Sequence, residues 1–466
     1  MKKILSFPQN FNFGVADADL QVIGEQATID NEDSQPTIWR NFAEQEGRVH
    51  KKHSTNEGID RYNRYKEDVQ LIKKLGTKHY RTSISMARTL TKDKKVNEKA
   101  MKWYQDYFKE LKKNGITIYA TLYHWELPQH LSEMGGWKNK KTIEFLVEHS
   151  RLVYKYLNEY IEEYFLLNEP WCSTFFSYHT GDHAPGEKDL KGTLEAAHNI
   201  LLAQGLMYQE LRKLDKNIKL STVYNPVLAY TPNPTEENLK ARTYAQGYYT
   251  DWLLDPLYLG KYPDSMMEIF GDSMPKIEKK DMEIIKIGDK LHSFGINYYY
   301  SALVEYDEKR DVKFKDISYP GSITNGLGWP TFMPPKYQEG FYDLLTHLYA
   351  KYSESGMKRM YITENGTAWK SKKLKNGEID DDFRIFYLGE HIKQVHKAIS
   401  AGVPIETYFE WTLMDNYEWQ FGYKPESCFG LIHVDRKTMK RSPKSSYYWY
   451  KNLIKNKQLK IIDNLK

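Results

Sequence analysis

The order of apolar and polar positions divides the chain into short β-rich runs separated by longer stretches of helical period. Eight runs stand out: FNFGVA (11–16), KHYRTSI (78–84), TIYATLYH (117–124), YFLLNE (164–169), KLSTVYN (219–225), SFGINYY (293–299), MYITEN (360–365) and IETYFEW (405–411). They are rich in β-branched and aromatic residues and largely apolar on both faces, as strands of a covered parallel sheet are. Between them, RYNRYKEDVQLIKKLG (61–76) and EKAMKWYQDYFKELKKNG (98–115) space their apolar residues at helical intervals, and the second reaches Gly115, a helix-stop signal. Eight strands alternating with helices predict an α/β chain folded as a (β/α)₈ barrel with extended βα loops. No low-complexity linker or break in composition divides it, so one domain over 1–466 is expected. No GxGxxG or P-loop follows the first run, which argues against a doubly wound nucleotide-binding sheet. The stretch YPGSITNGLGWPTFMPPKY (319–337) has no periodicity; it follows the sixth run, where it would hang over the barrel mouth.

Composition narrows the classes of partner more than it identifies one. Hydrophobic residues at 40% and charged residues at 28% allow both a large core and a solvated surface. The 37 tyrosines and 11 tryptophans supply rings that line sugar and base sites but also fill cores, so the count favours neither. A formal net charge of +5 is spread over basic pairs alternating with acids, which gives no stripe for nucleic acid. Cys172 and Cys428 form no disulfide framework and no CxxC, as suits a reducing, cytoplasmic setting. There is no apolar h-region before Pro8 and no apolar run long enough to span a bilayer, so neither a signal peptide nor a membrane partner is expected. In that setting the sequon Asn365-Gly366-Thr367 is accidental. HExxH is absent and the histidines lack ligand spacing, so no metal and no cofactor is expected.

Barrel active sites lie at the C-terminal ends of the strands, so polar residues ending the apolar runs carry the candidate chemistry. They are Gln21 after run one, Arg81 in run two, His124 ending run three, Asn168 and Glu169 after run four, Asn297 and Tyr299 in run six, Glu364 in run seven and Trp411 ending run eight. A single glutamate at a strand end is ordinarily a helix N-terminal residue or a salt-bridge partner. Seven of eight runs delivering such a group to one rim is a different matter. Glu169 in N-E-P and Glu364 in T-E-N-G offer the paired carboxylates that glycoside hydrolysis needs, one protonated and one ionised. Arg81 is placed to hold one of them anionic.

These stretches also resemble glycoside hydrolase family 1, the β-glucosidase family, over nearly the whole length. The matching segments are FNFGVADADLQ, RYKEDVQLIKKLG, YRTSIS, TLYHWELPQ, LNEPW, GDHAPG, DPLYLGKYP, GINYY, YITENG and WTLMDNYEW, in the family's order. The resemblance implies a retaining exo-β-glycosidase acting on a small β-glycoside or oligosaccharide through a covalent glycosyl-enzyme. It makes Glu169 the acid/base and Glu364 the nucleophile, with Arg81 and Tyr299 orienting the latter. It assigns Asn168 to the sugar 2-hydroxyl, Gln21, His124, Glu418 and Trp419 to the remaining hydroxyls, Asn297 to the binding set, and Trp411 to the apolar floor beneath the sugar ring. Trp329 in the long loop is a possible aglycone contact.

Departures from the family pattern cluster near Gln21. Asp17, Asp19 and Leu20 stand where hydroxyl and aromatic residues are usual, Ile23-Gly24-Glu25 replaces a Glu followed by Gly, and Met86 occupies a common tryptophan position. They bear on pocket shape and glycone preference rather than on the chemistry. Cleavage of a 6-phosphorylated glycoside is the first alternative; relatives of that kind tend to carry Ser at the Glu418 position with a Lys-x-Tyr pattern beyond it, whereas here only Lys424 is nearby. A carboxylate there suits an unmodified sugar. An inactive sugar-binding or receptor-like scaffold is the alternative from another class, and retention of both glutamates weighs against it. Transglycosylation would use the same covalent intermediate as hydrolysis.

Overall fold

All eight apolar runs become the staves of one closed parallel barrel. In the computed structural model, which describes residues 4–318, 321–332 and 339–461, they are β1 (Asn12–Ala16), β2 (His79–Ser83), β3 (Thr117–Thr121), β4 (Ile161–Asn168), β5 (Leu220–Tyr224), β6 (Phe294–Asn297), β7 (Met360–Asn365) and β8 (Ile405–Trp411). Each strand pairs in parallel with its sequence neighbours, and β8 closes on β1 through Thr407–Asn12 to Trp411–Ala16. The strands read as unbroken apolar runs because one face packs on helices and the other fills the barrel. The inner face carries Tyr119, Phe165, Val223, Tyr361, Phe409 and Trp411 from alternating positions, with Tyr119 and Phe409 crossing edge to face at 5.1 Å. Two strand glycines permit this filling: a Cβ at Gly14 would lie 2.6 Å from the Phe409 ring, and one at Gly295 2.7 Å from Thr363.

The helical segments follow the same logic. α1 (Arg61–Leu75) stops at Gly76, whose left-handed φ of 94° lets its N–H reach the carbonyls of Ile72 and Lys73. α2 (Glu98–Lys113) starts at Asn97, whose side chain accepts from the N–H groups of Lys99 and Ala100, and Gly115 just past its end has φ 74°. α3 (Lys141–Leu157), α4 (Leu190–Leu214), α5 (Gly340–Tyr352) and α6 (Asp382–Ser400) continue the outer layer. Ile4–Ser6 pairs antiparallel with Gln458–Lys460, tying together the two ends of the described chain.

Within the long loop, Ile323–Thr324 and Pro330–Phe332 form a small antiparallel hairpin, while residues 319, 320 and 333–337 lie outside the described residues. Both cysteines are free. Asn365 of the sequon is buried, its amide donating to the Tyr298 carbonyl and the Tyr387 hydroxyl, so it offers no acceptor for a glycan in the folded chain. Among the described residues no helix is long and apolar enough to cross a membrane.

Candidate active site

The C-terminal ends of the strands surround a cavity lined by His124, Trp125, Glu169, Tyr299, Glu364, Trp411, Glu418 and Trp419, with a more aromatic part formed by Phe176, Tyr300, Trp329, Phe421 and Phe429. Eight of the twelve residues singled out from the sequence line it. The other four are not among the lining residues: Arg81 bonds Glu364 and Asn297 bonds Glu169 directly, Asn168 accepts from Arg81 and Asn297, and Gln21 donates to the Tyr417 carbonyl at 2.6 Å. The Gln21 carbonyl oxygen is buried without a partner, as is His124 Nδ1.

Glu364, at the end of β7, is held from two sides. Arg81 Nη1 donates to Oε1 at 2.7 Å and the Tyr299 hydroxyl to Oε2 at 2.6 Å. Burial raises the carboxyl above its ordinary value, and the Arg81 charge and the Tyr299 hydrogen bond offset only part of that rise. Tyr299 stays a donor because burial and the Glu364 charge hold its phenol well above the ordinary value.

Glu169, one residue past β4, is raised as well, and the donors bonded to it, Asn297 and Cys172, are neutral. Burial first, and the neighbouring Glu364 charge second, push it up to about 8. Asn297 Nδ2 donates to its Oε1 at 2.6 Å and Cys172 Sγ to its Oε2 at 3.1 Å, a partial offset. The guanidinium that neutralises Glu364 spends its second arm on Asn168 Oδ1 at 2.6 Å. Asn168 is thereby locked between Arg81, Asn297 and His124, whose Nε2 lies 3.1 Å from the Asn168 amide nitrogen. The backbone turns sharply here: Glu169 has φ 46°, Trp125 76° and Trp419 38°, all left-handed, so three cavity residues share the unfavourable conformation typical of functional sites.

One wall is aromatic. His124 stacks between Trp411 at 5.8 Å and Trp419 at 6.1 Å, and burial drives its imidazole well below the ordinary value, leaving it neutral. Glu418 faces the same space; burial and the charges of Glu364 and Glu169 raise it, so it can present a hydroxyl as well as an acceptor. Trp329 packs on Tyr299 at 5.5 Å and Phe429 at 6.2 Å. No lysine or arginine is among the described lining residues.

Sequence reasoning missed Cys172, Asn225, Phe176, His183, Tyr300, Phe421 and Phe429 as lining residues. Cys172 had a signal available, its position one helical turn beyond Glu169. Asn225 had one too, as the polar residue ending the fifth apolar run, and Tyr300 directly follows the sixth; Phe176 lies in the helical segment Cys172–Thr180, while His183, Phe421 and Phe429 lie in stretches with no periodicity to read.

The departures near Gln21 have structural explanations. Asp17 accepts from Arg61, Tyr80 and Thr82, and Asp19 accepts from Arg88 and Tyr104, so each anchors a buried arginine outside the barrel wall. Met86 is buried in the outer core.

A family model for glycosyl hydrolase family 1 matches residues 4–459. β-Glucosidase A of Acetivibrio thermocellus is 34% identical over 98% of this chain and 99% of its own length. A 1,4-β-D-glucan glucohydrolase of Thermotoga neapolitana is 35% identical over 98% and 100%. Among solved structures, the family 1 β-glucosidase of Exiguobacterium antarcticum superposes with a TM-score of 0.91 at 34% identity, covering 97% of this chain and 98% of that one. The β-glucosidase of Thermotoga maritima in complex with glucoimidazole gives 0.90 at 34%, covering 97% and 99%.

Proposed function

The chain belongs to glycosyl hydrolase family 1, and on that premise we propose that it cleaves β-glucosides or related β-glycosides from the non-reducing end with retention, Glu169 acting as acid/base and Glu364 as nucleophile. The observation that carries this reading is the unequal environment of two carboxyls around one cavity. Glu169, pushed up to about 8, keeps its proton at neutral pH and can give it to the leaving oxygen. Glu364, clamped by Arg81 and Tyr299, is oriented to attack the anomeric carbon as a carboxylate.

Retention requires the two carboxyls about 5–5.5 Å apart, so that Glu364 reaches the anomeric carbon directly with no water between. Asn297 stands beside both: its amide donates to Glu169 Oε1 at 2.6 Å, and it pairs with Glu364 in the β6–β7 register. The first step forms the Glu364–anomeric carbon ester and breaks the glycosidic C–O bond as Glu169 protonates the departing oxygen. In the second, Glu169 as carboxylate takes a proton from water, whose oxygen displaces Glu364.

The remaining assignments follow the geometry. His124, Glu418 and Trp419 grip hydroxyls, Trp411 is the floor, and Trp329 with Phe429 and Tyr300 receives the aglycone. Arg81 and Tyr299 orient Glu364, Asn168 reaches the 2-hydroxyl from its place beside Glu169, and Gln21, whose amide oxygen is buried without a partner, joins Asn297 in the binding set. An unphosphorylated sugar is favoured, because a 6-phosphate would enter a cavity with Glu169, Glu364 and Glu418 in its wall and no lining cation among the described residues. We place the activity in one domain over 1–466, in the cytoplasm.

The test is mutational. Glu364→Gly should abolish turnover of aryl β-glucosides and recover with azide as the inverted α-azide. Glu169→Ala should keep turnover of glycosides whose leaving group needs no protonation and recover with azide as the β-azide. Full activity of either variant on an unactivated alkyl glucoside would refute the assignment. A panel of gluco, galacto, fuco and 6-phospho aryl glycosides assigns the glycone.

A further inference from the structure

We propose that Cys172 is a positioning residue for the acid/base carboxyl, its thiol fixing one oxygen of Glu169 and stabilising the carboxylate left after proton donation; this rests on the role given to Glu169 above. The chain turns into a wide helical segment, Cys172–Thr180, directly after Asn168-Glu169-Pro170. That turn brings Cys172 Sγ to 3.1 Å from Glu169 Oε2. The other oxygen, Oε1, is taken by Asn297 Nδ2, an amide nitrogen that can only donate. The carboxyl is therefore pinned at both oxygens from two separate elements, the turn after β4 and the end of β6.

The thiol is itself oriented. Asn225, just past β5, donates from Nδ2 to Sγ at 3.4 Å, so the sulfur accepts from Asn225 and its own proton is directed at Glu169. The relay Asn225→Cys172→Glu169 joins consecutive strand ends, and Cys172 and Asn225 both line the cavity. The charged groups facing the thiol are Glu169 and Glu364; the Tyr300 phenol and Asn225 amide are its neutral neighbours, and the Arg81 guanidinium is bonded to Glu364. Burial and the two carboxylates hold the thiol well above its ordinary value, so it remains a donor throughout the cycle and is no competitor for the glycosyl group.

The chemical consequence is asymmetric. A donor to a carboxyl favours its ionised form. Glu169 begins the cycle protonated and becomes a carboxylate as the leaving group departs, so the thiol's contribution grows along the first step. Removing it should raise the affinity of Glu169 for its proton and make proton transfer harder, most of all for leaving groups that depend on it.

The test compares Cys172→Ala, Cys172→Ser and Asn225→Leu with wild type in the pH dependence of kcat/KM, using a dinitrophenyl and an alkyl β-glucoside. For Ala the basic limb should move up by about half a pH unit, the size expected of one weak donor to a buried carboxylate. For Ser, a stronger donor, it should move down. Turnover of the alkyl glucoside should fall roughly 3- to 10-fold in Ala with little change for the dinitrophenyl substrate, the pattern of weakened acid assistance. Asn225→Leu, which leaves the thiol in place but unoriented, should shift the limb as Ala does and by less.

A limb unmoved in all three variants, or equal losses on both substrates, would make Cys172 packing alone and overturn the proposal. Thermal melts of each variant separate those losses from misfolding. Glu169→Ala on the same two substrates keeps the premise distinct: without selective loss on the alkyl glucoside, the role of Glu169 fails rather than that of Cys172.

Discussion

Replacing Glu364 by Gln should lower the pKa of Glu169 by roughly two units, although the two side chains are 195 positions apart in sequence. The Glu364 charge is the second cause, after burial, of the rise of Glu169 to about 8. At the about 5.5 Å separation that retention requires and an effective dielectric near 20, a unit charge acts with about 3 kcal/mol, or roughly two pKa units. Glutamine keeps the shape and removes the charge, and Arg81, left without its carboxylate, pulls in the same direction. Glu169 in the variant should titrate near 6, still above the ordinary 4.5 because burial persists. In the proposed mechanism, formation of the Glu364 ester would make the same electrostatic change, so the group that donated a proton would become a base at the moment one is required. The assay is a ¹³C NMR titration of carboxyl-labelled glutamate, with Glu169 assigned by its loss in Glu169→Gln. A Glu169 midpoint that stays at about 8 in Glu364→Gln would refute the coupling and leave burial as the whole explanation.

Three other outcomes follow from the same geometry. In wild type, kcat/KM for an alkyl β-glucoside should fall above about pH 8, where Glu169 loses the proton the proposed mechanism needs, and fall again on the acid side as Glu364 is protonated; a basic limb below pH 6 would contradict the assignment. Tyr299→Phe removes a 2.6 Å donor to the Glu364 carboxylate and should lower kcat about 10- to 100-fold in steady-state assays, the range for a hydrogen bond to a charged group. Glu126→Gln should stabilise the fold at neutral pH. Neither Glu126 oxygen makes a hydrogen bond of normal geometry, and burial with nearby Asp19 holds the acid well above 4.5, with only slight relief from its own backbone amide. A folded pKa above the unfolded one gives stability that is complete below about pH 4.5 and lost as pH rises toward the folded value, at about 1.4 kcal/mol per unit. Denaturant melts from pH 4 to 8 should show that slope in wild type and a shallower one in Glu126→Gln; equal slopes would exclude Glu126 as its source.

The barrel was legible because its strands are covered on both faces. A run such as YFLLN must be apolar throughout, and flanking helices such as α1 and α2 must show helical period and capping residues. Rim chemistry was legible for a related reason: the strand ends of a barrel converge on one rim, so Asn168, Glu169 and Glu364, each ending an apolar run, could be read as rim residues before any contact was known. Asp17 and Asp19 show where such reading stops. As residues they are two acids near a predicted sugar contact, and only the fold shows them held by Arg61 and Arg88 outside the barrel wall.

The sequence by itself determined the strands, their order and the two carboxyls, because these depend on local pattern and on motifs a few residues long. Tertiary structure alone decided how the carboxyls differ. Their protonation depends on how deeply the closed barrel buries them and on which neighbours closure supplies: Arg81 and Tyr299 for Glu364, Asn297 and the Asn225–Cys172 pair for Glu169. Those partners come from β2, the end of β5, β6 and a turn, so their distances are properties of the closed ring of strands and have no counterpart in local pattern.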